Sequence, residues 1–105
     1  MIDESTIKQA VDLLQQAAPG STIIVFGSCA RGQSTEDSDL DVMVVEPTVT
    51  SPHDEIVRLS DVLRPLGIPI DILVASKGTF EYWADTVNTI YYEIAREGRV
   101  FHAAA

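Results

Sequence analysis

Phe26-Gly27-Ser28-Cys29-Ala30-Arg31-Gly32 and, after a polar interval, Ser38-Asp39-Leu40-Asp41-Val42-Met43-Val44-Val45 make the stretch on which the reading of this chain turns. The run leading into it, Thr22 to Phe26, is continuously apolar and β-branched, as expected of a strand buried on both faces. It stops at Gly27-Ser28. The second apolar run opens with two acids. In a strand, residues i and i+2 point to one face, ~6.6 Å apart along the chain. Asp39 and Asp41 then project together, while Leu40, Val42 and Val44 go to the other side. Paired carboxylates repel each other and resist burial unless a cation or donor sits between them. A hard divalent ion such as magnesium, which takes oxygen ligands and shares them with phosphates, would relieve that repulsion.

The Gly-Ser turn offers the other half of a phosphate site. Gly27 lets the backbone bend sharply or approach a ligand closely, and Ser28 adds a hydroxyl and a main-chain N–H. Cys29-Ala30-Arg31 read as one short helical turn closed by Gly32, and a helix start directly after a strand suits a phosphate. Arg31 adds charge to such a site, although a solvated arginine is the plainer reading of that residue alone.

Working outward, residues from about 4 to 18 have helical spacing (Ile7, Ala10, Val11, Leu14, Ala17 or Ala18) with Asp3 and Glu4 at the positive end and Pro19-Gly20 as the stop. Gln33 to Ser38 is a polar loop in which Glu36 and Asp37 are expected to be solvated acids. The second strand is expected over Asp39 to Val45. Ser51-Pro52 opens a helix with serine at the N-cap and proline at the first helical position. Ile56, Leu59, Leu63 and Leu66 form its buried stripe up to Pro65 and Gly67. A third strand follows over residues 69–74. Lys77-Gly78 is expected to break the pattern, Phe80 to Ala84 to form a short helical segment, and Thr86 to Glu97 a last helix. Val87, Ile90, Tyr91, Ile94 and Ala95 give that helix an apolar face, and Gly98 fits the position just past its end.

Asp71 is a single acid inside an otherwise apolar strand, where a charge is costly without a partner. On periodicity alone it can equally be a solvent-facing residue on an edge strand. Beside Asp39 and Asp41, it reads better as a third carboxylate of one cluster. Geometry then constrains topology. The Gly-Ser turn ends the first strand while Asp39 and Asp41 begin the second, so these two should run antiparallel. The third should run parallel to the second, joined through the helix at 52–66. The expected fold is α/β (α+β): a small mixed sheet of about three strands flanked by helices.

The chain has 105 residues, 46 % of them hydrophobic, enough for one domain with a modest core and too apolar for a disordered tail. Its single cysteine excludes an internal disulfide and supplies no zinc motif. No apolar run approaches the ~20 residues that span a bilayer, and Met1-Ile2-Asp3-Glu4 has no basic or apolar leader pattern, so a cytoplasmic protein is expected, with no membrane association. The net charge of −9 disfavours binding to a nucleic-acid backbone, because few counterions would be released. Ala103-Ala104-Ala105 look like a loose end beyond a domain of residues 1–102.

Gly-Ser-x-Ala-Arg-Gly followed by Ser-Asp-Leu-Asp-Val resembles the signature of the DNA polymerase beta-like nucleotidyltransferase superfamily. The short length resembles its minimal nucleotidyltransferase group, many members of which are antitoxins to HEPN-domain toxins. The resemblance implies a nucleotidyltransferase fold with Asp39, Asp41 and Asp71 as catalytic metal ligands. It implies Gly27, Ser28, Arg31 and Ser38 as nucleotide- and phosphate-binding residues, two magnesium ions, and ATP as substrate. The expected reaction is transfer of AMP to a hydroxyl of a HEPN-type ribonuclease toxin, with the toxin as partner in a hetero-oligomer. Cys29 departs from the family, which often carries a basic residue there, and this puts the strength of phosphate binding in doubt. Larger members of the superfamily add an acceptor-binding domain, so here the acceptor site is expected to be completed by a second chain. Two alternatives remain: an antitoxin that acts by binding alone, and the catalytic domain of a small-molecule, aminoglycoside-type nucleotidyltransferase. His53 and His102 receive no role. Trp83, Tyr82, Tyr91 and Tyr92 read as core or partner interface, and nothing in the sequence marks a nucleobase pocket.

Overall fold

The computed structural model describes residues 2–33 and 38–102. Helix α1 (Glu4–Ala17) is capped by Asp3, whose side chain accepts from the Thr6 amide at 2.8 Å. Its buried residues Ile7, Ala10, Val11 and Leu14 lie on the stripe that the spacing predicts. Strand β1 (Thr22–Phe26) leads into a single helical turn, α2 (Gly27–Ala30), and β2 (Leu40–Glu46) follows. Helix α3 (Pro52–Leu63) starts at the Ser51 cap and ends in a 3₁₀ turn over Arg64–Leu66, closed by Gly67 at φ +66°. Then come β3 (Ile70–Ser76), α4 (Lys77–Trp83), α5 (Ile90–Glu97) and β4 (Arg99–Phe101).

The sheet order is β3-β2-β1-β4. β1 runs antiparallel to both β2 and β4, and β2 runs parallel to β3, as the placement of the motif residues requires. Both faces of β1 and β2 are covered. Ile23, Val25, Leu40, Val42 and Val44 pack under α1 and α3, with Leu14, Leu59 and Leu63 fully enclosed. Ile24, Met43, Val45 and Ala75 pack on the other face with Phe80 of α4 and Tyr91 and Ile94 of α5. Enclosing each such side chain contributes roughly 1.5–3 kcal/mol, and the continuous apolar runs reflect this double burial.

In β4, α4 and α5, four details depart from the sequence reading. β4 is an added strand; three residues are too few to display a period, and they pair along β1 only because α5 returns the chain there. α5 begins at Ile90 rather than Thr86, because Thr89 caps it by accepting from the Tyr92 amide and Asn88 before it has φ +71°. Val87 and Ile90 are consequently exposed rather than part of a buried helix face. Lys77-Gly78 do not interrupt the chain but form the first turn of α4, since the Ser76 hydroxyl accepts from the Thr79 amide at 3.1 Å. Gly98 does end α5, but in extended rather than left-handed backbone, φ −74° and ψ 153°. The loop acids Glu36 and Asp37 and the tail at 103–105 lie outside the described residues.

Candidate active site

Three neighbouring strands bring the site together in one row. Phe26 at the end of β1 is paired with Asp41 near the start of β2, and Asp41 is in register with Asp71 near the start of β3. Alternation along β2 sends Leu40, Val42 and Val44 to the α1/α3 side and Asp41, Met43 and Val45 to the α4/α5 side. Asp41 and Asp71 therefore stand side by side on one face, and their carboxyl groups are within hydrogen-bonding reach. Asp71 is exposed and Asp41 half-buried.

Burial raises the Asp41 pKa above the usual carboxylate range, and the charges of Asp71 and Asp39 raise it further, while Arg31 pulls the other way. Asp39 lies just before β2 rather than within it, exposed, but close enough for its charge to be felt at Asp41. Its position is set from an unexpected direction. The Cys29 thiol, buried in the α1/α3 core, donates to the Asp39 carbonyl at 3.5 Å, tying α2 to the start of β2. Cys29 thus packs in the core and bears on the position of Asp39.

Gly27 opens α2 at φ +74°, and a Cβ placed on it would overlap the carboxylate of Asp41. Both properties demand glycine: backbone in the left-handed region and room for the neighbouring carboxylate. Ser28 follows, half-buried, its carbonyl accepting from the Gln33 amide at 2.9 Å. Arg31 is exposed, its Nε donating to the Gln33 side chain at 3.2 Å and its Nη1 lying 3.6 Å from the Glu97 carboxylate of α5. Ser38 is half-buried immediately before Asp39. The structure thus places Gly27, Asp39, Asp41 and Asp71 at one end of the sheet, with Ser28, Arg31 and Ser38 on the segments leading to and from it.

Among the described residues, no three or more Asp, Glu, His or Cys side chains are already drawn together as a metal-binding group. The donor chemistry still fits a hard divalent cation. Asp41 and Asp71 offer only oxygen and face each other, and burial followed by the Asp71 charge disfavours the ionised form of Asp41, which a cation between them would favour.

A cavity of about 200 Å³ adjoins Gly27, between α2 and α5, lined by Phe26, Arg31 and one side of α5. A larger one of about 450 Å³ lies at the opposite end of the sheet, against Thr22, Val45 and Lys77, away from the carboxylates. His102 borders that distant cavity and His53 is exposed on α3, so neither histidine joins the site. Tyr82 and Trp83 are exposed at the end of α4 and meet edge to face at 4.9 Å, whereas Tyr91 packs against Phe80. Among the described residues no helix is long and apolar enough to cross a membrane.

A family model described as a nucleotidyltransferase domain matches residues 7–99. A protein of Methanocaldococcus jannaschii, named "putative protein adenylyltransferase", is 32 % identical over 106 residues, covering 97 % of this chain and all of that protein. A crystal structure of a "putative nucleotidyltransferase" from Sulfolobus solfataricus superposes with a TM-score of 0.62 at 22 % identity, over 94 % of this chain and 78 % of that one, a likeness of fold.

Proposed function

This chain belongs to the nucleotidyltransferase domain family, and from that premise we propose that it transfers AMP from ATP to a hydroxyl group of a partner protein. The observation that carries the reading is the row Phe26–Asp41–Asp71, with Gly27 against the Asp41 carboxylate. It puts a sharp backbone turn next to a pair of neighbouring acids, the arrangement that a triphosphate with its cations needs. The name of the M. jannaschii relative supports a protein as acceptor.

In the proposed reaction the acceptor hydroxyl attacks the α-phosphorus in line, its P–O bond to the leaving pyrophosphate breaks, and one P–O bond forms. Asp39 and Asp41 would hold both of two divalent ions, with magnesium implied by the family resemblance, and Asp71 would share the one on the acceptor side. Such ions, when bound, neutralise the leaving group and lower the pKa of the attacking oxygen. Asp71, exposed at the start of β3, would receive the acceptor's proton. Gly27, Ser28, Arg31 and Ser38 would hold the triphosphate. The chain's contribution is chiefly positioning and electrostatics.

The acceptor is proposed to be a HEPN-type ribonuclease toxin, neutralised by the modification, with this chain as its antitoxin in the cytoplasm. The exposed apolar residues Tyr82, Trp83 and Val87 suit a protein-facing surface, and the net charge of −9 suits a basic partner. The test is intact mass spectrometry of the neighbouring gene's product after incubation with this chain, ATP and magnesium. One or more AMP units gained, and none with Asp39→Asn/Asp41→Asn, is the expected result. A stable complex without any mass gain would replace transfer by neutralisation through binding alone.

A further inference from the structure

We propose that the cavity between α2 and α5 is the nucleobase subsite, and that Glu93 and Glu97 select bases carrying an exocyclic amine. The proposal rests on the nucleotidyl-transfer reading above and adds to it the part of the substrate that the sequence left unmarked.

The cavity, about 200 Å³, shares Gly27 as a wall with the Asp41 carboxylate, so a nucleotide with its phosphates at that turn has its base within reach. Phe26, Ile90 and Ile94 give the cavity an apolar lining on which a flat ring can pack. Ile90 is 46 % exposed, a large aliphatic side chain left in water at the cavity wall, and a stacked base would cover it. Ile90, Glu93, Ile94 and Glu97 follow i, i+3, i+4, i+7 spacing, so one helical face presents both the apolar surface and two carboxylates.

Ionised carboxylates only accept hydrogen bonds. They bind an amino group such as that of adenine and repel a ring carbonyl in the same place. Arg31 lines the cavity beside Gly27 and only donates, and its partner Glu97 is 3.6 Å away, so the phosphates lie toward Gly27 and Arg31 and the amine meets first Glu93, one turn of α5 away from Glu97.

The experiment measures binding of ATP, purine riboside triphosphate and inorganic triphosphate, each with magnesium, to the full chain. Purine riboside triphosphate carries hydrogen where adenine carries its amine and adds no other donor, and triphosphate lacks a base. Wild type is expected to bind ATP about 10- to 100-fold more tightly than the purine analogue, the range for a hydrogen bond to a charged group. In Glu93→Gln/Glu97→Gln the ATP/analogue ratio should fall toward one. That ratio cancels any change in phosphate binding caused by freeing Arg31. Ile90→Trp, at an exposed position, should bring ATP down toward the affinity of triphosphate. Equal binding of ATP and the purine analogue by wild type, or an unchanged ratio in the double variant, overturns the base subsite while triphosphate binding keeps the phosphate site standing. If neither triphosphate nor ATP binds, both readings fall together.

Discussion

The carboxylate of Asp41 fills the space that a side chain on Gly27 would need. The last pairing of β1 with β2 sets Phe26 opposite Asp41, so the next residue turns away beside that carboxylate, at φ +74°. Turn and acid are therefore one structural unit.

Gly27→Ala should cost more than a glycine substitution chosen for φ alone. Gly32 has φ +69° but nothing within 4 Å of an added Cβ, so Gly32→Ala is expected to cost about 1 kcal/mol from backbone strain. Gly27→Ala adds displacement of Asp41, for about 2–3 kcal/mol in total, and should lose nucleotidyl transfer altogether. Urea denaturation of the two variants checks the stabilities; equal losses would mean that Asp41 does not depend on Gly27 for its place.

Asp41→Asn should act in opposite directions on stability and function. At neutral pH the Asp41 carboxylate is opposed by its own burial and by Asp71 and Asp39. Removing its charge is expected to stabilise the metal-free chain by a few tenths to about 1 kcal/mol, the repulsion being weakened by solvent screening. The same change should abolish transfer. Melting curves in EDTA and in magnesium test both halves. Magnesium should raise the midpoint of wild type and leave the variant nearly unmoved, and a variant that melts lower than wild type in EDTA would contradict the argument.

Much of this arrangement was legible in the chain because local and global signals agree there. Thr22 to Phe26 is too uniformly apolar for a one-sided strand, and the Gly-Ser and Asp-x-Asp elements sit at ends of strands that can meet only if antiparallel. Asp71 was ambiguous on period alone; its register with Asp41 is a non-local property. The role of Cys29 is hidden for the same reason, since its contact with the Asp39 carbonyl joins residues ten apart in the sequence. α5 is shorter than its spacing suggests because Val87 extends the helical pattern, whereas the Asn88-Thr89 cap, a polar signal, governs where the helix starts. The α2–α5 cavity depends on how a helix returns to the far side of β1, and no spacing encodes that.

Gly98 serves close approach rather than backbone freedom. A Cβ there would overlap the Ile24 side chain and lie 2.6 Å from the Ile94 carbonyl oxygen, although φ is an ordinary −74°. Gly98→Ala should therefore cost about 1–3 kcal/mol by overpacking, with β4 lifted from β1. Ile24→Ala removes one of the two obstacles, so the double variant should lose less than the sum of the singles. Strict additivity in denaturant midpoints would mean that the two residues do not collide.

A last prediction concerns Glu46, at the end of β2 away from the active site. It is 9 % exposed, with Oε2 buried and lacking a hydrogen-bond partner among the described residues, and it faces Glu55 of α3. Arg58 donates to both oxygens of Glu55, at 2.5 and 2.9 Å, and to the Ala17 carbonyl of α1 at 2.8 Å. Burial and the neighbouring Glu55 push the Glu46 pKa up to about 7, while Arg58 and then Glu46 itself hold Glu55 down at about 2. The two shifts act oppositely. Glu55 contributes stability above its unfolded pKa of 4.5, lost as pH falls toward 2. Glu46 contributes stability when protonated, fully present below 4.5 and lost as pH rises through about 7. Stability should peak near pH 5 and fall by on the order of 2 kcal/mol by pH 8. Glu46→Gln keeps a donor toward Glu55 without ionising, so it should flatten the decline and be more stable than wild type at pH 8. Denaturant unfolding at pH 5 and pH 8 decides it: parallel losses in wild type and variant would place the pH dependence elsewhere in the chain.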